Sequence, residues 1–202
     1  MKIRRSIEFK AKPDALEVGD IISFKLVDGE KVRARAVKRY PETMLMVFED
    51  CLEKEYPMNS LNTNEGGYLK SDIRRILNTE IFNRFPNKIR KHMVSDYNGD
   101  FLRLLSKEEV FGKTWDNKDA AELQIPAMKS RKNRIKFLGI DGDSAWWWLS
   151  TPCGSVATFF CPVCANGTAY YDSAGHALGL APAFYLKISN PSACPTSTED
   201  TL

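Results

Sequence analysis

The chain has 202 residues, 43% of them hydrophobic, which is enough to bury one sizeable core in a single domain. Its formal net charge of +3 is too small to predict binding to nucleic acid or to an anionic membrane. No apolar run approaches ~18 residues, so no membrane span is predicted. No apolar stretch follows the basic start MKIRRSIEFKAK, so no secretory signal is predicted and we expect the protein to be cytoplasmic on synthesis.

The N-terminal part predicts a three-stranded β-meander after an extension over residues 1–16. Residues 21–26 are apolar enough for a strand, and Asp28-Gly29 is a strong two-residue hairpin signal. Residues 31–37 alternate basic and apolar side chains, which is typical of a half-exposed strand. Residues 44–48 are wholly apolar and predict a buried third strand.

Two helices are predicted after a loop over residues 50–67. Ser71 is suited to cap a helix, and apolar residues at helical spacing predict that this helix covers 72–82. Pro86 fits the first turn of a second helix over 87–94. The basic residues on both helices are interpreted as solvated faces rather than a nucleic-acid surface, since no aromatic residues alternate with them.

The middle of the chain predicts short elements joined by a long loop. Residues 101–105 are predicted to form a short strand, and Ser106 with Glu109 forms a capping box that begins a short helix. Residues 113–133 are predicted to be loop, and residues 135–138 a further strand. The polar, proline-containing C-terminus predicts a flexible tail over 189–202 after a single domain over 17–188.

The stretch from Leu149 to Leu186 contains no Lys, Arg, Glu, Gln, Met or Trp, and Asp172 is its only formal charge, although the whole chain is 27% charged. Such a segment is either buried or a surface built for contact. Lys, Glu, Gln, Met and Trp are the residues that codons ending in a pyrimidine cannot encode. The composition therefore has two readings: a core segment rich in Gly and Ala, or a product of substitution at adenines in AAC-type codons.

Before this stretch come three consecutive tryptophans, at 146–148, of which we expect at least two in the core. Within the stretch, Cys161-Pro162-Val163-Cys164 has the spacing of half a zinc site. Cys153, His176 and Cys194 are candidates for the other ligands, but none forms a second pair. On a strand, residues three apart point to opposite faces, which disfavours the site. Five cysteines without a secretory signal predict mostly free thiols.

The sequence gives even less support for a catalytic site than for a zinc site. There is no glycine-rich phosphate loop and no paired-carboxylate signature. Asp141, Asp143 and Asp172 could bind a calcium ion, but turns explain the first two better. His92 is interpreted as a surface histidine, and no partner for His176 can be assigned. The residues themselves predict no catalytic set and no cofactor.

The spaced motifs resemble an uncharacterised domain family common in Firmicutes and their phages, over about residues 17–188. The motifs are EYPMN at 55–59, SDIR at 71–74, LLS at 104–106, EVFG at 109–112, RKNRIK at 131–136, WWWL at 146–149 with Pro152, and GLAPAF at 179–184. The C-terminal part of that family is similar to the C-type lectin-like fold. Formylglycine-generating enzymes and the variable proteins of diversity-generating retroelements share this fold.

The resemblance implies an α+β protein in which the meander precedes a C-type lectin-like (formylglycine-generating-enzyme-like) core. It implies a scaffold of Trp147, Leu149, Pro152, Phe160, Val163, Gly167, Ala169, Gly179, Pro182 and Phe184. It also implies a variable segment over 150–178 whose ligand-binding residues are Ser155, Val156, Thr158, Phe159, Cys161, Pro162, Cys164, Ala165, Thr168, Tyr170, Tyr171, Asp172, Ser173, His176 and Leu178. We expect a pocket centred on Phe159, Tyr170, Tyr171 and His176.

On this reading the protein is a non-enzymatic receptor or target-recognition protein for an unknown protein or surface ligand. Association with a virion, display on a surface, and an oligomeric state are all compatible with it. One alternative is a zinc-stabilised module using Cys161 and Cys164, and another is an enzyme of the formylglycine-generating-like fold. Relatives carry arginines where this chain has Ser150 and Ala181, which argues against carrying over an arginine's role.

Overall fold

The computed structural model describes residues 6–8, 16–112 and 120–188 and has an α+β fold, as expected. The strands are β1 (Ser6–Glu8), β2 (Ile21–Lys25), β3 (Lys31–Arg39), β4 (Thr43–Phe48), β5 (Met93–Val94), β6 (Lys136–Phe137), β7 (Ser144–Ala145), β8 (Trp147–Pro152), β9 (Phe159–Val163), β10 (Asp172–Ser173) and β11 (Ala183–Lys187). The α-helical segments are α1 (Asp72–Ile76), α2 (Phe82–Arg84), α3 (Asn87–Arg90) and α4 (Lys107–Phe111), and 3₁₀ turns cover Tyr68–Lys70, Ala120–Leu123, Pro126–Lys129 and Arg131–Arg134.

The largest sheet has the order β1-β2-β3-β4-β11-β5. The predicted meander β2–β3–β4 is confirmed, with antiparallel pairing throughout. Its residues alternate as the sequence indicated, and a register shift between Ala36 and Lys38 turns both Ala36 and Val37 into the core. β11 pairs antiparallel with β4, so the last strand of the described chain lies in the same sheet as its first strands.

A cluster of phenylalanines holds the main sheet to the helices. The ring centroids of Phe24 and Phe85, and those of Phe85 and Phe184, lie 5.5 Å apart, and Phe48 contacts all three rings. Pairs at such distances add to the stabilisation from burial alone. The strands β2, β4 and β11 are thereby fixed against Phe85, which directly follows α2.

The first helix begins as predicted. The Ser71 hydroxyl accepts the backbone N–H of Arg74 at 3.2 Å, and Asp72 occupies the first turn. α1 continues through a π-helical turn (Leu77–Ile81) into α2, and Ile73, Leu77 and Ile81 are fully buried. The predicted capping box of α4 is also present, with Ser106 and Glu109 bonding reciprocally.

Three predicted elements need correction. The second helix ends at Arg90 rather than at residue 94, because Met93 and Val94 pair with β11 as an edge strand. The predicted strand over 101–105 is a single bridge between Arg103 and Ala183. The extension over 1–16 contains the strand β1, which pairs in parallel with β2. The loop over 113–133 is described from residue 120 and contains 3₁₀ turns. The predicted tail over 189–202 lies outside the described residues.

A second sheet, with the order β10-β9-β8, carries most of the charge-poor stretch. Trp147 and Trp148 on β8 are both fully buried although they face opposite sides, which confirms that at least two tryptophans are in the core. The Trp147 indole N–H donates to the carbonyl of Arg134 at 2.9 Å, and the Trp148 indole donates to that of Tyr56 at 2.8 Å. Both faces of this strand are therefore covered.

Residues 51–56 and 178–180 join the two sheets. The N–H of Leu52 donates to the carbonyl of Leu180, and Tyr56 and Leu178 exchange two backbone hydrogen bonds. Gly179 lies against β8, because its N–H donates to the carbonyl of Trp146 and its carbonyl accepts from Trp148. Within the described residues, no helix is long and apolar enough to cross a bilayer.

Candidate functional site

Most of the predicted scaffold positions are buried. Eight of the ten positions are buried: Trp147, Leu149, Phe160, Val163, Gly167, Gly179, Pro182 and Phe184. Pro152 and Ala169 are exposed, which corrects their assignment to the buried frame. Pro152 ends β8 and Ala169 lies just before β10, so both are at the ends of strands where one side faces solvent.

The predicted ligand-binding residues divide by exposure. Ser155, Val156, Tyr170 and His176 are exposed, and a partly buried group consists of Thr158, Phe159, Ala165, Thr168, Tyr171, Asp172, Ser173 and Leu178. Cys161, Pro162 and Cys164 are buried, with Cys161 wholly inaccessible, so these three cannot contact a ligand in this conformation. The reason is that both faces of β9 are covered, since consecutive residues from Phe160 to Cys164 are all buried.

The variable segment presents its loops at two ends of the second sheet. The β8–β9 loop (residues 153–158) and residues 174–177 meet at one end, where the N–H of Ala174 donates to the carbonyl of Thr158 at 2.8 Å. The β9–β10 loop (residues 164–171) turns at the opposite end, as strand direction requires. The predicted residues are therefore not gathered around one loop cluster.

Tyr170 and Tyr171 face opposite sides of the sheet. Tyr170 contacts Trp146 edge to face, with ring centroids 5.4 Å apart, and Tyr171 contacts Lys107. Neighbouring residues in extended backbone alternate in this way. The predicted pocket centred on Phe159, Tyr170, Tyr171 and His176 therefore needs correction, because the two tyrosines cannot line one wall.

A smaller group does share one face. Tyr170 is 59% exposed, and Asp172, two residues later, points to the same side. The Asp172 carboxylate lies 2.8 Å from Nδ1 of His176, whose side chain is 65% exposed. We call Trp146, Tyr170, Asp172 and His176 the Tyr170 face. It combines aromatic area with one polar, titratable pair, which is a composition suited to recognition.

On the other side, Tyr171 is held by Lys107 at the start of α4. The Lys107 Nζ donates to the Tyr171 hydroxyl at 2.9 Å and lies 5.2 Å from the ring centroid. Lys107 is only 3% exposed, and its backbone N–H donates to the hydroxyl of Thr151. Tyr171 is thus part of the support for the sheet, and no sequence pattern connected Lys107 with it.

Cys153 lies near Lys107 and close beneath the surface. Burial opposes ionisation, but hydrogen bonds from the Ser155 hydroxyl and from the backbone of Ser155 and Val156 lower the pKa of the Cys153 thiol, and the Lys107 charge lowers it further. The Sγ of Cys153 is 3.4 Å from the Ser155 oxygen. Burial raises the pKa of Cys51 to about 12. Cys153 is therefore far more easily ionised than Cys51.

Two asparagines outside the segment fix its loops. The Asn64 amide donates to the carbonyls of Cys153, Val156 and Phe159 at 2.9–3.0 Å. The Asn62 side-chain oxygen accepts from the Ser173 hydroxyl at 2.6 Å and from the Gly175 N–H at 3.3 Å. Sequence reasoning identified this region only as loop. Its richness in asparagine was a signal for turn formation, but it gave no indication of partners ninety residues away.

The zinc alternative has no ligand set in the described part of the chain, where no three His, Cys, Asp or Glu side chains are grouped to hold a metal ion. Cys161 is on β9 and fully buried, and Cys164 follows the strand. Cys194, one predicted partner, lies outside the described residues. Cys51, Cys153 and Cys164 are free thiols, as the sequence predicted for most cysteines.

Comparison with known protein families gives a match over the C-terminal part of the chain. Residues 100–188, or 89 of the 202, match a family described as a domain of unknown function (DUF6273). No curated protein and no solved structure matches the chain. The matched region contains α4, the whole second sheet and β11, so it includes the Tyr170 face and Lys107 but not Asn62 or Asn64.

Proposed function

We propose that the protein is a non-enzymatic ligand-binding protein that displays exchangeable side chains on a fixed frame. In this proposal the frame is a C-type lectin-like fold, similar to that of the variable proteins of diversity-generating retroelements in Firmicutes and their phages. The ligand is an unknown protein or surface component, and this protein itself is associated with a virion or displayed on a surface. The Tyr170 face is the centre of the binding surface.

The observation that carries the proposal is the division of one charge-poor segment into two kinds of position. Its large scaffold residues are mostly buried, and its exposed residues include Ser155, Val156, Tyr170 and His176. The loops between them are fixed by Asn62 and Asn64, which lie outside the segment. Because support comes from elsewhere, the exposed side chains can change without loss of the frame. A buried core segment would not leave Tyr170 59% exposed.

The structure narrows the set of residues proposed to vary. Exposed and partly buried positions remain in it: Ser155, Val156, Thr158, Phe159, Ala165, Thr168, Tyr170, Asp172, Ser173 and His176. Cys161, Pro162 and Cys164 leave it because they are buried, and Tyr171 leaves it because Lys107 holds it. Leu178 is removed from the set of varying residues because the Leu178 backbone pairs with Tyr56, whose carbonyl accepts from the buried Trp148.

The test is deep sequencing of this gene in a natural population, together with its flanking DNA. We expect a nearby reverse-transcriptase gene and a near-identical repeat that differs only at adenines. Substitutions should concentrate at codons 155, 156, 170 and 176, and should be absent at the matched buried positions 147, 149, 160 and 179. Uniform variation, or absence of any template repeat, would overturn the proposal. The sequencing can be done before any ligand is identified.

Binding can then be measured directly once a ligand is captured from host cell surfaces. Tyr170→Ala and His176→Ala should weaken binding at least tenfold, whereas Lys187→Ala, at an exposed site on β11, should leave it unchanged. Tyr170 and His176 are expected to act together because the Asp172–His176 pair lies on the same face as the tyrosine ring. Unchanged binding in both variants would move the site elsewhere.

A further inference from the structure

A pocket of about 620 Å³ is lined mainly by residues of the β2–β3 hairpin and by none of the residues of the Tyr170 face. Its base is formed by the two strands, and Pro86 and Ile140 form apolar walls. Pockets that hold small molecules have volumes of ~300–1,000 Å³. Apart from Ile140, the lining residues precede residue 100, so the pocket belongs mainly to the meander rather than to the variable segment.

The polar part of the lining is entirely cationic or neutral. Lys25, Lys31, Arg33 and Lys88 are present with Ser23, and there is no carboxylate in the lining. Lys25 and Lys31 are directly opposite each other in the β2–β3 register. Like charges at such positions destabilise a sheet. This pairing is therefore unfavourable for the hairpin unless something neutralises it.

The arginines of the described chain show how this fold usually treats positive charge. Arg33 donates to Asp50 through Nε at 3.1 Å and Nη2 at 2.5 Å, and Arg84 pairs with Asp28. Among the described residues, the side chains of Lys25, Lys31 and Lys88 have no hydrogen-bond or ion-pair partner. The lining of this pocket thus includes three exposed lysines without an ion-pair partner among the described residues.

The apolar walls restrict what could neutralise them. Pro86 and Ile140 are both partly exposed, and they offer contact to an aliphatic or aromatic body. A neighbouring pocket shares Lys31 and Ile140 but contains Glu30, Glu53 and Asp141. Those carboxylates disfavour a second anionic group on that side. The arrangement suits a ligand with one anionic head and one apolar body rather than an extended polyanion.

We propose that this pocket binds a small amphiphilic oxyanion, with its carboxylate or phosphate head between Lys25, Lys31 and Lys88 and its apolar body against Pro86 and Ile140. The site is separate from the proposed recognition surface, because its lining shares no residue with the Tyr170 face. Its occupancy also offsets the cross-strand repulsion between Lys25 and Lys31, so the ligand should stabilise the hairpin as it binds.

The experiment titrates the full chain by NMR chemical-shift mapping and calorimetry at low salt, below micelle-forming concentrations. The probes are octanoate and octyl phosphate, with octanol and octylamine as matched uncharged and cationic controls. We expect saturable shifts around residues 23–33, 86–88 and 140 with one or both anions. The preferred anion identifies the head group as carboxylate or phosphate. Octanol and octylamine should bind at least tenfold more weakly, and added salt should weaken anion binding.

The decisive variant is Lys25→Gln/Lys31→Gln, with Lys187→Gln as an exposed strand control. The double variant should weaken anion binding at least tenfold and the control should not. Without ligand, the double variant should have a Tm equal to or above that of the parent protein, because repulsion is removed; this separates loss of the site from loss of folding. The proposal is overturned if neither anion binds saturably, if octanol matches octanoate, or if the double variant binds as the parent does.

Discussion

The two sheets of this protein use different means to hold their surfaces. Around the main sheet, several arginines are paired with carboxylates: Arg33 with Asp50, Arg35 with Glu49, and Arg84 with Asp28 and Glu30. On the second sheet Asp172 contacts His176 at hydrogen-bond distance, and the loops are held by neutral amides. The first sheet therefore uses its own surface side chains for stability.

The stability of the second sheet does not depend on its surface side chains in this way. Trp147, Trp148 and Phe160 stabilise it from inside, and Asn64 fixes its loops from another part of the chain. Stability and display are thus assigned to different residues. If this distinction is correct, substitutions in the second sheet should have either large or very small effects, with few between. The following experiments test that expectation in order of effect.

The largest difference is expected between two thiols, one beside the main sheet and one in the β8–β9 loop. Burial raises the pKa of Cys51 to about 12. In contrast, hydrogen bonds to the Cys153 sulfur and the Lys107 charge lower the pKa of Cys153. At pH 8 a larger fraction of Cys153 than of Cys51 should be thiolate, which is the reactive form. Iodoacetamide labelling with peptide mapping should show Cys153 modified first.

Labelling in urea provides the control, because both thiols should then react at similar rates. Lys107→Met should slow the labelling of Cys153 and leave that of Cys51 unchanged. Equal labelling of the two cysteines in the native protein would contradict the geometry of the β8–β9 loop.

Trp148→Ala should give the largest loss of stability, about 4 kcal/mol in urea unfolding, which is typical for removing a buried large aromatic side chain. The side chain is fully buried and its indole N–H donates to the carbonyl of Tyr56, which would lose that partner. Trp148→Phe, which keeps the ring but removes the donor, should lose less and serve as the folded comparison. A loss under about 1 kcal/mol would show that the second sheet does not depend on its tryptophans.

Gly179→Ala should destabilise by about 2 kcal/mol, through crowding rather than a cavity. A Cβ at this position would lie 2.6 Å from Sγ of Cys51 and 2.8 Å from the carbonyl oxygen of Trp146. The double variant Cys51→Ala/Gly179→Ala should recover part of this loss, since the sulfur clash is removed and the backbone clash remains. The matched change Gly154→Ala should be nearly neutral, because no atom lies within 4 Å of its Cβ position.

Asn64→Ala should lower the free energy of unfolding by about 1.5 kcal/mol. The Asn64 amide donates to three loop carbonyls, which would have to bind water instead in the variant. Urea unfolding measures the loss, and hydrogen exchange should show faster opening of the β8–β9 loop. Asn166→Ala is the control, since its side chain bonds only to the neighbouring Thr168. A similar loss in both variants would show that Asn64 is not a special support.

These experiments concern contacts that the sequence predicted unevenly. The meander, the Ser71 cap and the capping box at Ser106 were predictable because each depends on residues a few positions apart. The edge strand at Met93 and Val94 was not, because its existence depends on β11 about ninety residues later. The single bridge at Arg103 has the same origin.

The candidate site shows the same limit. Composition identified the charge-poor segment, and the scaffold pattern identified most of its buried positions. Composition could not reveal that β9 is covered on both faces, so it gave no reason to remove Cys161 and Pro162 from the binding surface. It also could not reveal that Tyr171 meets Lys107, since these residues are 64 positions apart. Long-range contacts decide which of two adjacent tyrosines is free.

Tyr170→Ala should have the smallest effect, a loss of about 0.5 kcal/mol in urea unfolding. The ring is 59% exposed, so the substitution removes little buried area, and its edge-to-face contact with Trp146 accounts for most of the loss. A double-mutant cycle with Trp146→Ala should return a coupling of the same size, because the two rings contact each other. If Tyr170→Ala instead destabilised the protein as much as Trp148→Ala, the exposed aromatic would be part of the frame. The separation between the residues that stabilise the second sheet and the residues it displays would then fail at its central position.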